Sequence, residues 1–85
     1  MANWSVYIVE CKDGSLYTGI SNDVERRVWK HNNKCGAVSV RGKLPAKLVF
    51  QEFVGSKSKA AKREIEIKGW RREKKLNLIN SSLEG

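Results

Sequence analysis

The stretch Ser5–His31 reads SVYIVECKDGSLYTGISNDVERRVWKH and decides the fold. It contains two short runs rich in apolar residues, Ser5–Cys11 and Ser15–Ile20, separated by the pair Asp13-Gly14. Two such runs around an Asp-Gly pair are typical of a β-hairpin. The residues that follow have helical spacing, so the stretch predicts a hairpin that leads into a helix.

The length of the hairpin loop determines which side chains share a face of the sheet. A two-residue loop would mix apolar and polar residues on both faces, whereas a three-residue loop at Lys12–Gly14 separates them. We therefore predict the longer loop, with its glycine in the left-handed conformation. This loop places Tyr7 and Tyr17 on one face, with Tyr7 opposite Gly19. Because glycine has no side chain, the pairing predicts room for a ligand beside Tyr7.

The segment after the hairpin predicts an amphipathic helix. It extends from Asp23 to about Asn33, with Asn22 and Glu25 as a capping box. One stripe of this helix combines two apolar and two chargeable residues at i, i+3, i+4 and i+7: Val24, Arg27, Val28 and His31. A stripe that packs on a sheet yet carries two chargeable residues indicates that its edge opens into a pocket.

The rest of the chain predicts one further strand and two further helices. The predicted segments are a mobile loop at Lys34–Lys47, a strand at Lys47–Phe53, a helix capped by Ser56 or Ser58 and ending near Lys68, a short helix at Arg71–Ile79, and a frayed tail at Asn80–Gly85. Together the segments predict one α+β domain over residues 1–85, with a three-stranded antiparallel sheet flanked by helices.

The composition favours a polyanionic partner. Seventeen Lys and Arg residues against nine Asp and Glu give a formal net charge of +8, although a merely soluble basic surface would have the same composition. The two cysteines, Cys11 and Cys35, are too few for a disulfide framework and are expected to be reduced thiols. No apolar run approaches membrane-spanning length, and no secretory segment precedes the first strand. We therefore predict a soluble, cytoplasmic protein.

Several positions in this framework resemble the signature of the GIY-YIG endonuclease superfamily. The two motifs are SVY at residues 5–7 and YTG at residues 17–19. Arg27 and His31 follow on the predicted helix, where the family places residues that face the phosphate. Glu64, on a later helix, matches the family's single acidic metal ligand. The order and spacing of these residues make the resemblance specific, although each three-residue motif is weak alone.

The resemblance extends over about Trp4–Ile79 and is greatest to the small stand-alone bacterial members. The sequence departs from the pattern at Ser5, which replaces the first glycine, and at Thr18, the middle residue of the second motif. Neither departure replaces a reactive group.

The resemblance implies an endonuclease that depends on a divalent metal, Mg²⁺ or Mn²⁺, and hydrolyses phosphodiester bonds in DNA. It implies that Tyr7 is the general base for a water nucleophile and that Tyr17 assists by hydrogen bonding. Arg27 would bind the scissile phosphate, as its planar guanidinium suits phosphate oxygens. His31 would bind phosphate or protonate the leaving group. Glu64 would hold the metal, since Mg²⁺ accepts one carboxylate together with waters and phosphate oxygens.

Each of these roles has a plainer alternative. Strands favour aromatic residues, so Tyr7 and Tyr17 would be ordinary strand residues without the family resemblance. Without its position one turn from Arg27, His31 would be read as a partly buried structural imidazole. Glu64 has the helical spacing for a salt bridge with Lys68.

A tyrosine is a poor base at its ordinary pKa of about 10, so the proposed role requires nearby positive charge that lowers the pKa. Arg27, Lys47 or a metal-bound water network are the candidates. Arg26 is the other possible phosphate ligand, but it lies off the apolar stripe and is expected to face solvent.

Two groups of residues remain without an assigned chemical role. Asn77 and Asn80 are candidates for an asparagine that the family often has near its site, and neither aligns clearly. Trp4, Trp29 and Trp70 are expected to pack in the core and not to stack on bases.

The main functional alternative is a basic module that binds DNA or RNA without cutting it, and a structural protein without a nucleic-acid partner ranks third. The intact set of five candidate residues favours the enzyme. The short chain shows no second recognition domain, so we expect recognition of nucleic-acid structure, or a protein partner that provides targeting. A DNA substrate is favoured over RNA, in repair or processing, and the oligomeric state is left open.

The charge generates a first prediction, which concerns binding. The affinity for duplex DNA should fall steeply as salt rises, because phosphate contacts release counterions. Titrations of a labelled duplex at several salt concentrations measure the slope of log affinity against log salt. A flat dependence would contradict an electrostatic nucleic-acid surface.

Overall fold

The fold is a three-stranded antiparallel sheet with helices on both faces, which confirms the predicted α+β class. The computed structural model describes residues 3–32 and 46–84, apart from the side chains of His31, Leu83 and Glu84. Its elements are β1 (Trp4–Glu10), β2 (Leu16–Ser21), α1 (Val24–Asn32), β3 (Lys47–Gly55), α2 (Lys57–Lys68) and α3 (Arg72–Glu84). The strand order is β2-β1-β3, so β1 is central.

Part of the sequence-based description falls beyond the described residues. The predicted mobile loop at Lys34–Lys47 lies outside them except for its last two residues, and Cys35 lies outside them as well. Cys11 is buried and is a free thiol. Within residues 3–32 and 46–84, no helix combines the length and apolar character needed to cross a membrane.

The β1–β2 hairpin has the predicted three-residue loop. The backbone N–H of Cys11 donates to the carbonyl oxygen of Ser15 at 2.8 Å, and the N–H of Gly14 donates to the carbonyl oxygen of Cys11 at 2.9 Å. Gly14 has φ +86°, the left-handed conformation that other residues rarely adopt. The carboxylate of Asp13 accepts bonds from both the backbone N–H and the hydroxyl of Ser15, which fixes the turn further.

The register that follows from this loop separates two cores. The cluster on the α2 and α3 side consists of Val6, Ile8, Phe50, Ala60, Ile67 and Ile79. The cluster on the α1 side consists of Tyr7, Val9, Val24 and Ala46. Adjacent residues of β1 thus alternate between the clusters, as the side chains of a strand must. Tyr7 lies opposite Gly19 in β2, as predicted.

The start of α1 differs from the prediction by one residue. The carboxylate of Asp23 accepts a hydrogen bond from the backbone N–H of Arg26 at 3.2 Å, so Asp23 caps the helix and Asn22 does not. The hydroxyl of Ser21 accepts a bond from the N–H of Asp23 at 2.9 Å and thereby holds the cap in place. Asparagine and aspartate are nearly equal as caps, and only the carboxylate also complements the helix dipole.

The second half of the chain packs two helices on the opposite face. The hydroxyl of Ser56 accepts from the backbone N–H of Lys59 at 3.2 Å, which confirms one of the two predicted caps of α2. The helix ends at Lys68, as predicted, and Gly69 is its C-cap. The predicted frayed tail from Asn80 is wrong, because α3 continues to Glu84. Its polar residues have modest helix propensity but are not helix breakers, so each costs only tenths of a kcal/mol.

The tryptophans divide between packing and exposure. Trp4 and Trp70 pack against the α2-side core, as predicted. The ammonium of Lys74 lies over the Trp70 ring, 4.2 Å from its centroid, in a cation–π contact. Trp29 is 60% exposed, so its predicted place in the core is wrong. It follows Val28 directly and therefore lies off the stripe that contacts the sheet.

The loop generates a stability prediction. Gly14→Ala should lower the free energy of unfolding by about 1–2 kcal/mol, because an L-residue is strained at this positive φ. For a domain of this size the melting temperature should fall by about 4–8 °C per kcal/mol. Thermal denaturation followed by circular dichroism measures the change.

Gly69→Ala is the matched control, since Gly69 has φ −78° and an added Cβ would meet ordinary contacts no closer than 3.5 Å. Equal melting temperatures for the two variants would contradict the role assigned to the left-handed loop residue.

Candidate active site

Tyr7 lies at the centre of the candidate site. It occupies the middle of the central strand β1 on the face covered by α1, and only 1% of it is exposed. It packs in one cluster with Val9 and with Val24 of α1, while Tyr17 and Val28 border the cluster. The strand alternation and the helix stripe thus bring Tyr7 beneath α1, where its ring is held by apolar contacts.

Gly19 provides the space for the Tyr7 ring. A Cβ atom built on Gly19 would lie 2.7 Å from the hydroxyl oxygen of Tyr7 and 2.8 Å from the ring carbon that carries it. These distances are shorter than any van der Waals contact allows. The sequence predicted that a ligand would use the space above Gly19. That prediction is wrong, because the ring of Tyr7 itself lies there. The absent side chain positions the phenol.

Arg27 reaches Tyr7 from α1. Its guanidinium forms a side-chain hydrogen bond with the phenol oxygen, and both this bond and its positive charge lower the pKa of Tyr7. Burial has the larger effect, so the pKa of Tyr7 stays above its ordinary value of 10.0. The sequence-based expectation that Arg27 lowers the pKa of Tyr7 is confirmed. The expectation that the net pKa would be lowered is wrong, because burial raises it by more than Arg27 lowers it, and the motif does not show how deeply the ring is buried.

Tyr17 and Glu64 also act on the Tyr7 phenol. Tyr17 lies on the same face of the sheet and is partly buried. Glu64 projects from α2, where it is flanked by the buried residues Ala60 and Ile67. Both raise the pKa of Tyr7 electrostatically, after the larger effects of burial and Arg27. The structure thus brings one tyrosine, one arginine and one carboxylate into the electrostatic surroundings of the buried phenol.

Glu64 also has the alternative partner that its spacing predicted. Its carboxylate lies 3.6 Å from the ammonium of Lys68, in an i, i+4 ion pair. The side chain of Lys68 is 52% exposed and that of Glu64 is 21% exposed, so solvent weakens this pair. A partly exposed ion pair of this kind leaves the carboxylate available to a stronger cation.

The remaining candidates stay predictions. His31 lies in the last turn of α1, and its side chain is not among those described. Asn77 and Asn80 are exposed on α3. Lys47 begins β3 opposite Glu10 and is exposed, and it is not among the groups that act on the pKa of Tyr7.

A cationic cavity adjoins Arg27. Its volume is about 260 Å³, and its lining residues are Ser21, Asn22, Asp23, Arg26, Arg27 and Lys30. Arg26 faces solvent, as predicted, and it also lines this cavity beside Arg27. Sequence reasoning missed Lys30. The i, i+3, i+4, i+7 spacing of Asp23, Arg26, Arg27 and Lys30 was the available signal, because residues so spaced share one side of a helix.

The donor set around Tyr7 fits a hard divalent cation only in part. In the portion of the chain that the structure describes, no group of three His, Cys, Asp or Glu side chains is gathered in one place. Glu64 is the carboxylate that acts on Tyr7. One carboxylate suits Mg²⁺, which retains several waters and takes its other ligands from phosphate oxygens, whereas zinc would require more protein ligands.

Comparisons with known proteins identify the family of this chain. The model of the GIY-YIG catalytic domain matches residues 3–77. This chain belongs to the GIY-YIG family. A UPF0213 protein of Staphylococcus saprophyticus is 55% identical over 75 residues, which cover 88% of this chain and 92% of the relative. A UPF0213 protein of Clostridium perfringens is 53% identical over 76 residues, with 89% of this chain and 82% of the relative covered.

A solved relative has the same fold. The solution NMR structure of the UPF0213 protein from Bacillus halodurans superposes with a TM-score of 0.60 at 46% identity, and the match covers 92% of this chain and 83% of that one. The GIY-YIG assignment implies a nuclease-type activity. The names of these relatives give a family and no substrate, so the substrate, the metal and the role of each residue are matters for proposal.

The charges around Tyr7 predict that two substitutions change its pKa in opposite directions. Arg27→Ala should raise the pKa of Tyr7 further, because it removes the groups that lower it, whereas Glu64→Gln should lower the pKa by removing a negative charge. NMR titration with ring-labelled tyrosine resolves Tyr7 from Tyr17 and measures both changes.

Arg26→Ala is the matched control, since Arg26 is an exposed neighbour that does not act on Tyr7. Shifts of equal size and sign in the Arg26 and Arg27 variants would show a general charge effect and contradict the specific contact.

Proposed function

We propose that this protein is a divalent-metal-dependent endonuclease that hydrolyses phosphodiester bonds in DNA. The observation that carries the proposal is the buried phenol of Tyr7, seated over Gly19 and hydrogen-bonded by Arg27. A tyrosine that served only packing would not need a charged donor on its hydroxyl. The electrostatic influence of Glu64 on the same phenol adds a carboxylate to the arrangement.

Arg27 has two roles in this proposal. Its fork of N–H donors binds a non-bridging oxygen of the scissile phosphate and opposes the additional negative charge that develops in the transition state. Its bond to Tyr7 keeps the phenol oxygen in a fixed direction while a water molecule approaches. Arg26 and Lys30 line the same cavity and attract the polyanionic backbone towards it.

Tyr7 acts as the general base. Because burial raises its pKa, the phenol is almost entirely protonated at pH 7, and the reactive phenolate is a small fraction. Arg27 stabilises that phenolate, since its bond and charge favour the ionised form. Tyr17 assists by hydrogen bonding from the same face. His31 is proposed as a second phosphate ligand or as the acid that protonates the leaving oxygen.

Glu64 is the proposed metal ligand. Mg²⁺ or Mn²⁺, when bound there, supplies Lewis-acid stabilisation of the leaving oxygen. The ion pair with Lys68 is partly exposed and is therefore replaceable. Glu64 also raises the pKa of Tyr7, so neutralising its charge favours the phenolate.

The biological setting of the proposal follows the sequence-based predictions. DNA is favoured over RNA, the substrate is selected by structure, and the reaction belongs to repair or processing of DNA. The whole chain of residues 1–85 is taken as one nuclease domain in the cytoplasm, and a protein partner that provides targeting is the alternative to selection by structure. A non-catalytic basic module that binds DNA or RNA is the alternative, and the net charge of +8 favours it equally.

Cleavage assays distinguish the two candidates and generate the fourth prediction. Tyr7→Phe, Arg27→Ala and Glu64→Ala should each reduce Mg²⁺-dependent cleavage by about a hundredfold or more, because each removes a contact made in the transition state. The assay uses nicked, branched, single-stranded and duplex DNA. Cleavage by the parent should rise about tenfold per unit between pH 7 and pH 9, as the phenolate fraction does, and Tyr7→Phe should lose this slope.

Arg71→Ala and Glu73→Ala are matched controls, because both residues are exposed near the start of α3 and outside the candidate site. Their cleavage rates should equal those of the parent. Absence of cleavage on every substrate would favour the binding module. Cleavage that survives in Tyr7→Phe with its pH slope intact would exclude Tyr7 as the base.

A further inference from the structure

A second cavity lies beside the cationic one and differs from it in chemistry. Its volume is about 350 Å³, within the range of about 300–1,000 Å³ typical of small-ligand sites. Its lining contains one aromatic ring, three amides, one hydroxyl, two carboxylates and one valine, and neither lysine nor arginine. These residues are Asn3, Ser5, Asn22, Asp23, Val24, Glu25, Gln51 and Phe53.

The two cavities are adjacent. Asn22 and Asp23 line both of them, so the start of α1 forms their common wall. A phosphate is favoured on the side of Arg26, Arg27 and Lys30. It is disfavoured on the other side, where the carboxylate of Glu25 adds to that of the shared Asp23 and the lining contains no lysine or arginine. The charge distribution therefore separates a place for phosphate from a place for an uncharged polar group.

Phe53 forms the aromatic wall of the second cavity. It lies on the edge strand β3 opposite Ser5, and 68% of it is exposed. Single exposed apolar residues are common and alone indicate nothing. Here, however, the ring lines a cavity whose other walls carry hydrogen-bonding groups. A flat π-face beside such groups suits a nucleobase, which stacks through its face and hydrogen-bonds through its edge.

The polar walls match the edge of a base. The amides of Asn3, Asn22 and Gln51 each offer both donors and acceptors. The carboxylates of Asp23 and Glu25 accept from exocyclic amino groups, as acidic side chains do from cytosine. Gln51 lies next to Tyr7 in the β1–β3 register, so this edge of the cavity adjoins the proposed catalytic centre.

We propose that this cavity binds one unpaired nucleobase of the strand whose phosphate occupies the cationic cavity. The proposal rests on the proposed nuclease function and names its substrate class, a strand with an unpaired nucleotide next to the cleavage site. A paired base in a duplex keeps its faces stacked and its edge occupied, so it cannot enter without being flipped out.

The experiment measures binding without divalent metal, so that no cleavage occurs. The probes are a single-stranded oligonucleotide carrying 2-aminopurine, a fluorescent adenine analogue that is quenched by stacking, and the fully paired duplex of the same sequence. Phe53→Ala should weaken binding of the single strand about tenfold or more and abolish the quenching due to protein, while duplex affinity stays unchanged. Phe53→Trp should retain both properties, because it keeps an aromatic face.

Ile65→Ala is the matched control, since Ile65 is a large apolar residue on α2 that is 69% exposed and does not line the cavity. It should behave as the parent with both probes. Equal single-strand affinities for Phe53→Ala and Ile65→Ala would overturn the proposal. So would a Phe53→Ala variant that changes the oligomeric state in sedimentation and leaves probe binding intact, because Phe53 would then serve a protein contact.

The outcomes separate this inference from the proposed function. If the parent fails to cleave any DNA but Phe53→Ala loses single-strand binding selectively, the base site stands and the nuclease proposal fails. If Tyr7-dependent cleavage is present and Phe53→Ala binds the single strand as the parent does, the nuclease proposal stands and the base site is excluded.

Discussion

The register of the β1–β2 hairpin is the constraint on which the rest of the structure depends. The three-residue loop closes with Gly14 in a left-handed conformation and pairs Tyr7 with Gly19. A shift of one residue would exchange the two faces of a strand and place Tyr7 among the aliphatic residues on the α2 side. The loop residues thus determine, from several residues away, which helix covers the phenol.

The candidate site balances burial against charge. The apolar cluster that holds the Tyr7 ring also removes it from water and so disfavours the phenolate. Arg27 offsets part of this effect, whereas the carboxylate of Glu64 adds to it. A phosphate or a cation that enters would change this balance, since each brings a charge into poorly solvated surroundings. The reactivity of the phenol is therefore a property of the occupied site and not of the tyrosine alone.

The sequence was sufficient for the features that depend on local pattern. The hairpin loop, its register and the apolar stripe of α1 follow from turn chemistry and periodicity, and the structure confirms them. Turn chemistry also narrowed the cap of α2 to two serines, of which the structure shows Ser56. The family resemblance also held, because it depends on the order of residues along the chain.

The features that the sequence did not predict depend on small energy differences or on three-dimensional burial. Asp23 and Asn22 differ little as caps, and α3 passes Asn80 because no residue there is a strong helix breaker. The pKa of Tyr7 depends on how deeply the ring is covered, which no motif states. The second cavity joins residues of the N-terminus, α1 and β3, and its walls become neighbours only in the folded chain.

The contact between Tyr7 and Gly19 has a consequence for the order in which substitutions can accumulate. Any side chain at position 19 meets the phenol at 2.7 Å, so residue 19 cannot enlarge while the tyrosine is present. Once Tyr7 has been replaced by a smaller residue, the restriction on position 19 disappears. Enlargement of position 19 would then leave no space for the tyrosine to return. Loss of Tyr7 followed by a larger residue at position 19 would therefore be difficult to reverse, because both positions would have to change back together.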